Sequence, residues 1–149
     1  MKTVIIIPAR YKSKRFPGKP LTLILGKPMI LWVAELCAEA LSAEFVYIAT
    51  EDFQIKKIVE KAGFNVVMTS DKCLTGTDRL AEAATQIEAD IYVNVQGDEP
   101  LLNPADILKI IEAKKMYPNE VINGYSKIGI NEEPESVNIP KVIFNEDQQ

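Results

Sequence analysis

The sequence predicts a doubly wound α/β fold, a mostly parallel sheet with helices on both faces. Four short runs, TVIIIP (3–8), FVYIAT (45–50), NVVMT (65–69) and IYVNVQ (91–96), have the near-continuous apolar character of strands buried on both sides. Segments of helical apolar period separate them, so strand and helix alternate four times, which is the pattern of a right-handed parallel sheet. The 149 residues, 47% of them apolar and 26% charged, suffice for one core and carry no disordered or fibrous bias.

In chain order, the run 3–8 is the first strand. The helix after it begins with Pro28 at its first position and turns Met29, Trp32, Val33, Leu36, Cys37 and Ala40 to one face. The run 45–50 follows, and Asp52 is the N-cap of a second helix whose stripe is Ile55, Ile58, Val59 and Ala62, stopped by Gly63. After 65–69 a third helix spans about 77–88, with Leu80, Ala83, Ala84 and Ile87 inward. The run 91–96 leads to Asn103-Pro104, a cap followed by proline, which opens a fourth helix carrying Ile107, Leu108, Ile110 and Ile111. Trp32, Phe45, Tyr47 and Phe53 are assigned to the core, and Glu112 to Lys115 to a solvated helix face. Beyond Tyr117 the pattern weakens: 121–130 is a strand candidate, 131–140 a polar loop, and KVIFN (141–145) a strand lacking a partner. The ending at 145–149 supplies no closing element, which raises the expectation of a piece of a longer protein.

Composition excludes several functions. A formal net charge of −4 speaks against nucleic-acid or membrane-surface binding, which call for a basic face. No run approaches the ~20 apolar residues of a membrane span, and MKTVIIIPAR has neither the length nor the cleavage site of a signal peptide, so a cytoplasmic protein is expected. Cys37 and Cys73 form no CxxC pair and are read as neither disulfide nor metal ligands. There is no histidine, which removes imidazole general bases, Ser-His-Asp and Cys-His machinery and HExxH zinc sites. Chemistry must rest on carboxylates, Lys, Arg and a hard metal.

Ligands of such sheets bind beyond the carboxyl ends of the strands. There, in IPARYKSKRFPGKP (7–20), Arg10, Lys12, Lys14, Arg15 and Lys19 place five cations within ten residues of an otherwise acidic chain. A mixture of planar Arg donors and mobile Lys charges suits a polyphosphate, and Gly18 lets backbone approach it closely. The alternative is a solvated basic loop. Neither GxxxxGK[ST] nor GxGxxG occurs. After the last strand, Gln96-Gly97-Asp98-Glu99-Pro100 puts Asp98 where a magnesium ligand belongs, opposite the phosphate loop. The competing reading makes Asp98 and Glu99 a turn before the next helix. Thr75-Gly76-Thr77-Asp78-Arg79, at a helix entry, offers hydroxyls and N–H groups to an anion or a base edge, or serves simply as a cap.

Together, IIPARYKSKRFPGKPL, GTDRLAEA and VNVQGDEPL resemble, in order and spacing, three signature blocks of the 3-deoxy-manno-octulosonate (Kdo) cytidylyltransferases, or CMP-Kdo synthetases. The resemblance implies a Rossmann-like nucleotidyltransferase fold, a homodimer in full-length form, and small-molecule substrates rather than nucleic acid or membrane. It implies a magnesium-dependent reaction in which CTP and the sugar acid give CMP-Kdo and pyrophosphate, for lipopolysaccharide or capsule synthesis. By the same resemblance Arg10, Ser13, Arg15 and Lys19 hold the triphosphate, Asp98 holds magnesium, and Gln96, the backbone near Ala9 and Gly76, Thr77 and Arg79 form the cytidine pocket. Arg10, Lys19 and Asp98 are then the catalytic group. Residues 1–149 form the CTP-binding part, regular to about 117, with 118–149 beginning the sugar-binding and dimerisation part. Cys73-Leu74 replaces a polar pair usual in the family, and Glu51 stands where aspartate is common. Those departures keep an acylneuraminate or amino-Kdo-type acid open as substrate, and the abrupt ending keeps open a CTP-binding fragment without turnover.

Overall fold

All six residues of Thr3–Pro8 are buried. A run with no polar face needs cover on both sides, so this strand, β1, takes an interior place in a four-stranded parallel sheet. The structure, a computed structural model, describes residues 1–12, 16–129, 131–137 and 141–142. After β1 come a short 3-10 turn (Lys19–Leu21), β2 (Leu23–Ile24), β3 (Lys27–Pro28), α1 (Met29–Ala40) and β4 (Val46–Thr50). Then follow α2 (Phe53–Lys61), β5 (Asn65–Met68), α3 (Gly76–Ala84), β6 (Ile91–Asn94) and α4 (Pro104–Met116).

The sheet order is β5-β4-β1-β6, with Ile5 opposite Val46 on one side of β1 and opposite Val93 on the other. Alternate residues of β1 feed two cores. Ile5 and Ile7 meet Ile30, Val33 and Cys37 of α1, Ile55 and Val59 of α2, and Ile107 and Ile111 of α4. Val4 and Ile6 face the other way, toward Ala83 of α3 and Ile87. Three helices therefore cover one face and α3 the other, the doubly wound arrangement expected.

Two helix starts follow the expected caps. Asp52 accepts from the N–H groups of Gln54 and Ile55, and Asn103 accepts from that of Ala105. Gly63 takes φ 87 just past α2, as a stop residue should. Other details differ. Pro28 belongs to β3 and caps α1 rather than opening it, because Leu25 (φ 50) and Gly26 (φ 80) form a two-residue turn that folds 23–28 into a hairpin. Trp32 fastens this hairpin instead of filling the core: its indole N–H donates to the Ile24 carbonyl at 2.9 Å, and Lys27 Nζ lies 3.5 Å from the ring centroid. The inward face of α1 keeps Met29, Val33 and Cys37 of the expected stripe and adds Ile30 and Ala34.

Phe53 and Leu108 are solvent-exposed. Phe53 opens α2, whose buried line is Ile55 and Val59; Leu108 stands one residue off the Ile107–Ile111 line of α4 and so points away from the sheet. The third helix ends at Ala84, short of the expected 88. Residues 121–129 form no strand, and Val121 and Tyr125 are exposed: a strand needs a neighbour for its N–H and C=O groups, and none among the described residues pairs with this segment. Of the strand expected at 141–145, Lys141 and Val142 are irregular and the rest lies outside the described residues. Among the described residues no helix is long and apolar enough to cross a membrane.

Candidate functional site

The direction of chain travel across the sheet reverses between β1 and β6, the switch point at which open α/β sheets bind ligands. Three segments meet there. Gly97, just beyond β6, lies so close to the end of β1 that a Cβ would stand 2.9 Å from the Pro8 carbonyl oxygen. No side chain fits against a fixed backbone at that distance, so glycine is what lets the post-β6 turn close onto β1. Gly76, opening α3, completes the junction: a Cβ there would lie 3.3 Å from Pro8 Cγ and 3.4 Å from Gln96 Oε1. The result is a cavity of about 450 Å³, within the ordinary size range of ligand clefts.

Arg10, Lys19 and Asp98 line it, together with Ala9, Gly76, Arg79 and Gln96. These are most of the residues singled out from sequence. Thr77 is exposed and outside the lining, whereas Thr75 is inside it. Ser13 and Arg15, expected on the triphosphate, lie outside the described residues, as does Lys14.

Lys19 and Asp98 face each other directly, Nζ 2.5 Å from Oδ2, with side chains 43% and 47% exposed. Lys19 reaches this position because Gly18, at φ 72, reverses the chain into the 3-10 turn. Arg10 is exposed, and among the described residues its side chain makes one long contact, Nη1 to the Leu74 carbonyl at 3.4 Å, which leaves most of its donors available there. The site thus presents two cations of the basic segment and one carboxylate across a narrow gap.

Arg79, which the resemblance places in the base pocket, lines the cavity, and its side chain is 3% exposed and paired within the protein. Nη2 lies 2.9 Å from Glu51 Oε2, while Nη1 donates to Thr69 Oγ1 at 2.5 Å and to the Ser70 carbonyl at 3.4 Å. Glu51 Oε2 has no well-aligned hydrogen bond, yet at 2.9 Å the guanidinium matches its charge. The other oxygen, Oε1, accepts from the backbone N–H groups of Tyr11 and Lys12 at 3.0 and 3.4 Å. Arg79 therefore shapes the wall of the cavity while its guanidinium is held by Glu51, Thr69 and Ser70. Thr75 is likewise committed, to a reciprocal capping box with Asp78 at the start of α3.

Sequence reasoning gave Phe16 and Met29 no place in the site and noted Glu51 only as a departure from the family pattern. Phe16 and Met29 line the cavity beside the basic segment. The signal for Glu51 was available: a carboxylate directly follows the buried strand end Ala49-Thr50. Nearby, the Cys73 thiol is pushed above its ordinary value, by partial burial first and by its hydrogen bond to Glu82 second, and it donates to Glu82 Oε2 at 3.1 Å. Cys37 is buried in the core, which pushes its thiol up to about 12. Both cysteines are free.

A parallel sheet with this strand order, cations after its central strand and a carboxylate facing them across the switch point has the design of a nucleotidyltransferase. Residues 4–149 match the family described as Cytidylyltransferase, and the chain belongs to that family. It is 54% identical over 114 residues to "3-deoxy-manno-octulosonate cytidylyltransferase 2" of Hydrogenovibrio crunogenus, a match that covers 74% of this chain and 46% of the relative. Over 147 residues it is 46% identical to "8-amino-3,8-dideoxy-manno-octulosonate cytidylyltransferase" of Shewanella piezotolerans, covering 96% of this chain and 59% of the relative. The fold is similar, with a TM-score of 0.75 and 44% identity, to a CMP:2-keto-3-deoxy-manno-octonic acid synthetase solved in complex with CTP, covering 80% of this chain and 49% of that one. The chain spans about half the length of these relatives.

Proposed function

We propose that this chain is the CTP-binding part of an enzyme that transfers a cytidylyl group from CTP to a Kdo-type sugar acid, releasing pyrophosphate. The observation that carries the reading is the meeting of all three sequence blocks on one cavity, with Lys19 2.5 Å from Asp98 at its mouth. The two relatives at 54% and 46% identity are named for Kdo and for its 8-amino analogue. The Shewanella match, which covers nearly the whole chain, supports the amino-sugar acid as a second substrate.

In this reading Gln96 and the Ala9 backbone take the cytidine end, and Arg10 and Lys19 take the phosphates. Neutralising the triphosphate and holding the α-phosphorus in line between the sugar hydroxyl and the departing pyrophosphate are the whole of the protein's task. Ser13 and Arg15 remain assigned to the phosphates by resemblance. Asp98 is the magnesium candidate. Among the described residues no three His, Cys, Asp or Glu side chains gather. A lone carboxylate fits magnesium, which keeps much of its water and takes its other ligands from substrate phosphates. Bound there, the ion would neutralise charge developing on the phosphates. Lys19 would then leave Asp98 for a phosphate oxygen. Residues 118–149 begin the sugar-binding and dimerisation part of the longer enzyme.

Calorimetry of CTP with and without magnesium tests the reading. Magnesium should tighten CTP binding, and Asp98→Asn should remove that dependence, with a loss of about tenfold or more, equivalent to about 1.4 kcal/mol. Binding that ignores both magnesium and the substitution would sink the metal assignment. In a full-length version, failure to release pyrophosphate from CTP with either Kdo or its 8-amino analogue would sink the transfer reaction itself.

A further inference from the structure

The Glu51–Arg79 pair supplies no group to the proposed transfer, yet it is wired to the backbone that does. Glu51 Oε1 accepts from two successive N–H groups, those of Tyr11 and Lys12. Ionised acceptors make the stronger hydrogen bonds, and two adjacent donors on one oxygen fix the direction of the chain as it leaves β1. The Tyr11 carbonyl in turn accepts from the Gly18 N–H at 2.8 Å. The Tyr11 ring also lies against Gly18: a Cβ on that glycine would stand 3.2 Å from Tyr11 Cε2. Gly18 opens the 3-10 turn that delivers Lys19 to Asp98. Arg79 and Thr69 hold the far end of this chain of contacts, Arg79 on α3 and Thr69 just beyond β5.

We infer that Glu51 is a positioning residue, a buried clasp. Through Tyr11 it joins the two ends of the basic segment and so sets the spacing of Arg10 and Lys19 across the cavity. Arg79 keeps the clasp closed by neutralising the carboxylate where water cannot. The clasp acts on the phosphate end of the ligand and leaves the nucleoside end alone. The inference rests on the cytidylyl-transfer reading for the identity of the ligand only.

The decisive comparison uses two double variants of the 149-residue chain that both remove the buried charges. E51Q/R79M keeps an oxygen to accept from Tyr11 and Lys12; E51A/R79M does not. With magnesium present, E51A/R79M should lower the ratio of CTP to CMP affinity by about tenfold or more. Both variants lack Arg79 from the cavity wall, so any change in CMP affinity should be the same in the two, and E51Q/R79M should restore most of the ratio. A purely structural role would lower the melting temperature of both variants and leave the ratio alone. That outcome, or an equally low ratio in E51Q/R79M, overturns the clasp. Amide exchange of the ligand-free wild-type chain tests it without any variant: the Tyr11 and Gly18 N–H groups should exchange far more slowly than those of exposed loops, and fast exchange at Tyr11 overturns it. A wild-type chain that binds CTP no better than CMP sinks the functional reading instead, and the exchange result still decides the clasp.

Discussion

Two ion pairs stand on either side of the basic segment and differ in almost everything except their charges. Lys19–Asp98 joins the loops after β1 and β6, with both side chains nearly half exposed. Glu51–Arg79 lies on the β4 and β5 side, its side chains 9% and 3% exposed and its remaining contacts made to Thr69 and the backbone of Tyr11 and Lys12. Water screens the first, so an incoming anion can separate it at little cost. The second has no such competitor, and opening it strands a charge in a dry site. A ligand site needs both kinds: a breakable pair that yields its members to the substrate, and a permanent one that holds the backbone still while this happens.

The largest expected effect falls on the buried pair. Arg79→Met leaves Glu51 without its counter-charge and should cost about 3–5 kcal/mol, read as a shift in the urea unfolding midpoint at neutral pH. A loss below about 1 kcal/mol would show that the pair is as solvated as the exposed one and would erase the contrast. Lys19→Met comes next and should reverse the pattern. Its stability should change by no more than about 1 kcal/mol, discounted for exposure, while CTP affinity falls about tenfold or more. A variant that unfolds early yet binds CTP normally would mean the two pairs have exchanged roles.

The two pairs were not equally legible in the sequence. Lys19 and Asp98 could be placed in advance because each follows a strand whose burial is written in a continuous apolar run, and topology carries such strand ends to one crevice. Arg79 was read with its neighbours in GTDRL as a group offered to a ligand. What buries it is Glu51, a residue 28 positions earlier that the register of β4 brings into reach, and no local pattern records that meeting. The four strands and four helices were readable for the reason Lys19 was. Phe53, Leu108 and Trp32 were misplaced because apolar character alone does not tell which side of a helix faces the sheet. The hairpin at 23–28 escaped because a two-residue turn with Leu at φ 50 lacks the usual Asn-Gly signature.

A third carboxylate separates burial from position as the cause of the contrast. Glu82 stands on α3 close to Arg79, and it accepts from the Ser70 N–H at 2.6 Å and from the Cys73 thiol at 3.1 Å. These bonds, the thiol's first and the Ser70 N–H second, hold its carboxyl below the ordinary value of 4.5. A depressed folded value means that Glu82 stabilises the fold above pH 4.5 and loses that contribution as pH falls through the folded value. Wild type should therefore be more stable than Glu82→Gln at neutral pH, and the gap should close as pH falls from 4.5 through the lower folded value. Because Glu82 is only partly buried, the gap at neutral pH should be well below the Arg79→Met loss. Urea midpoints for both chains across pH 3 to 7 measure it. A gap as large as that of Arg79→Met would show that position on this wall, rather than exclusion of water, makes the Glu51–Arg79 pair strong.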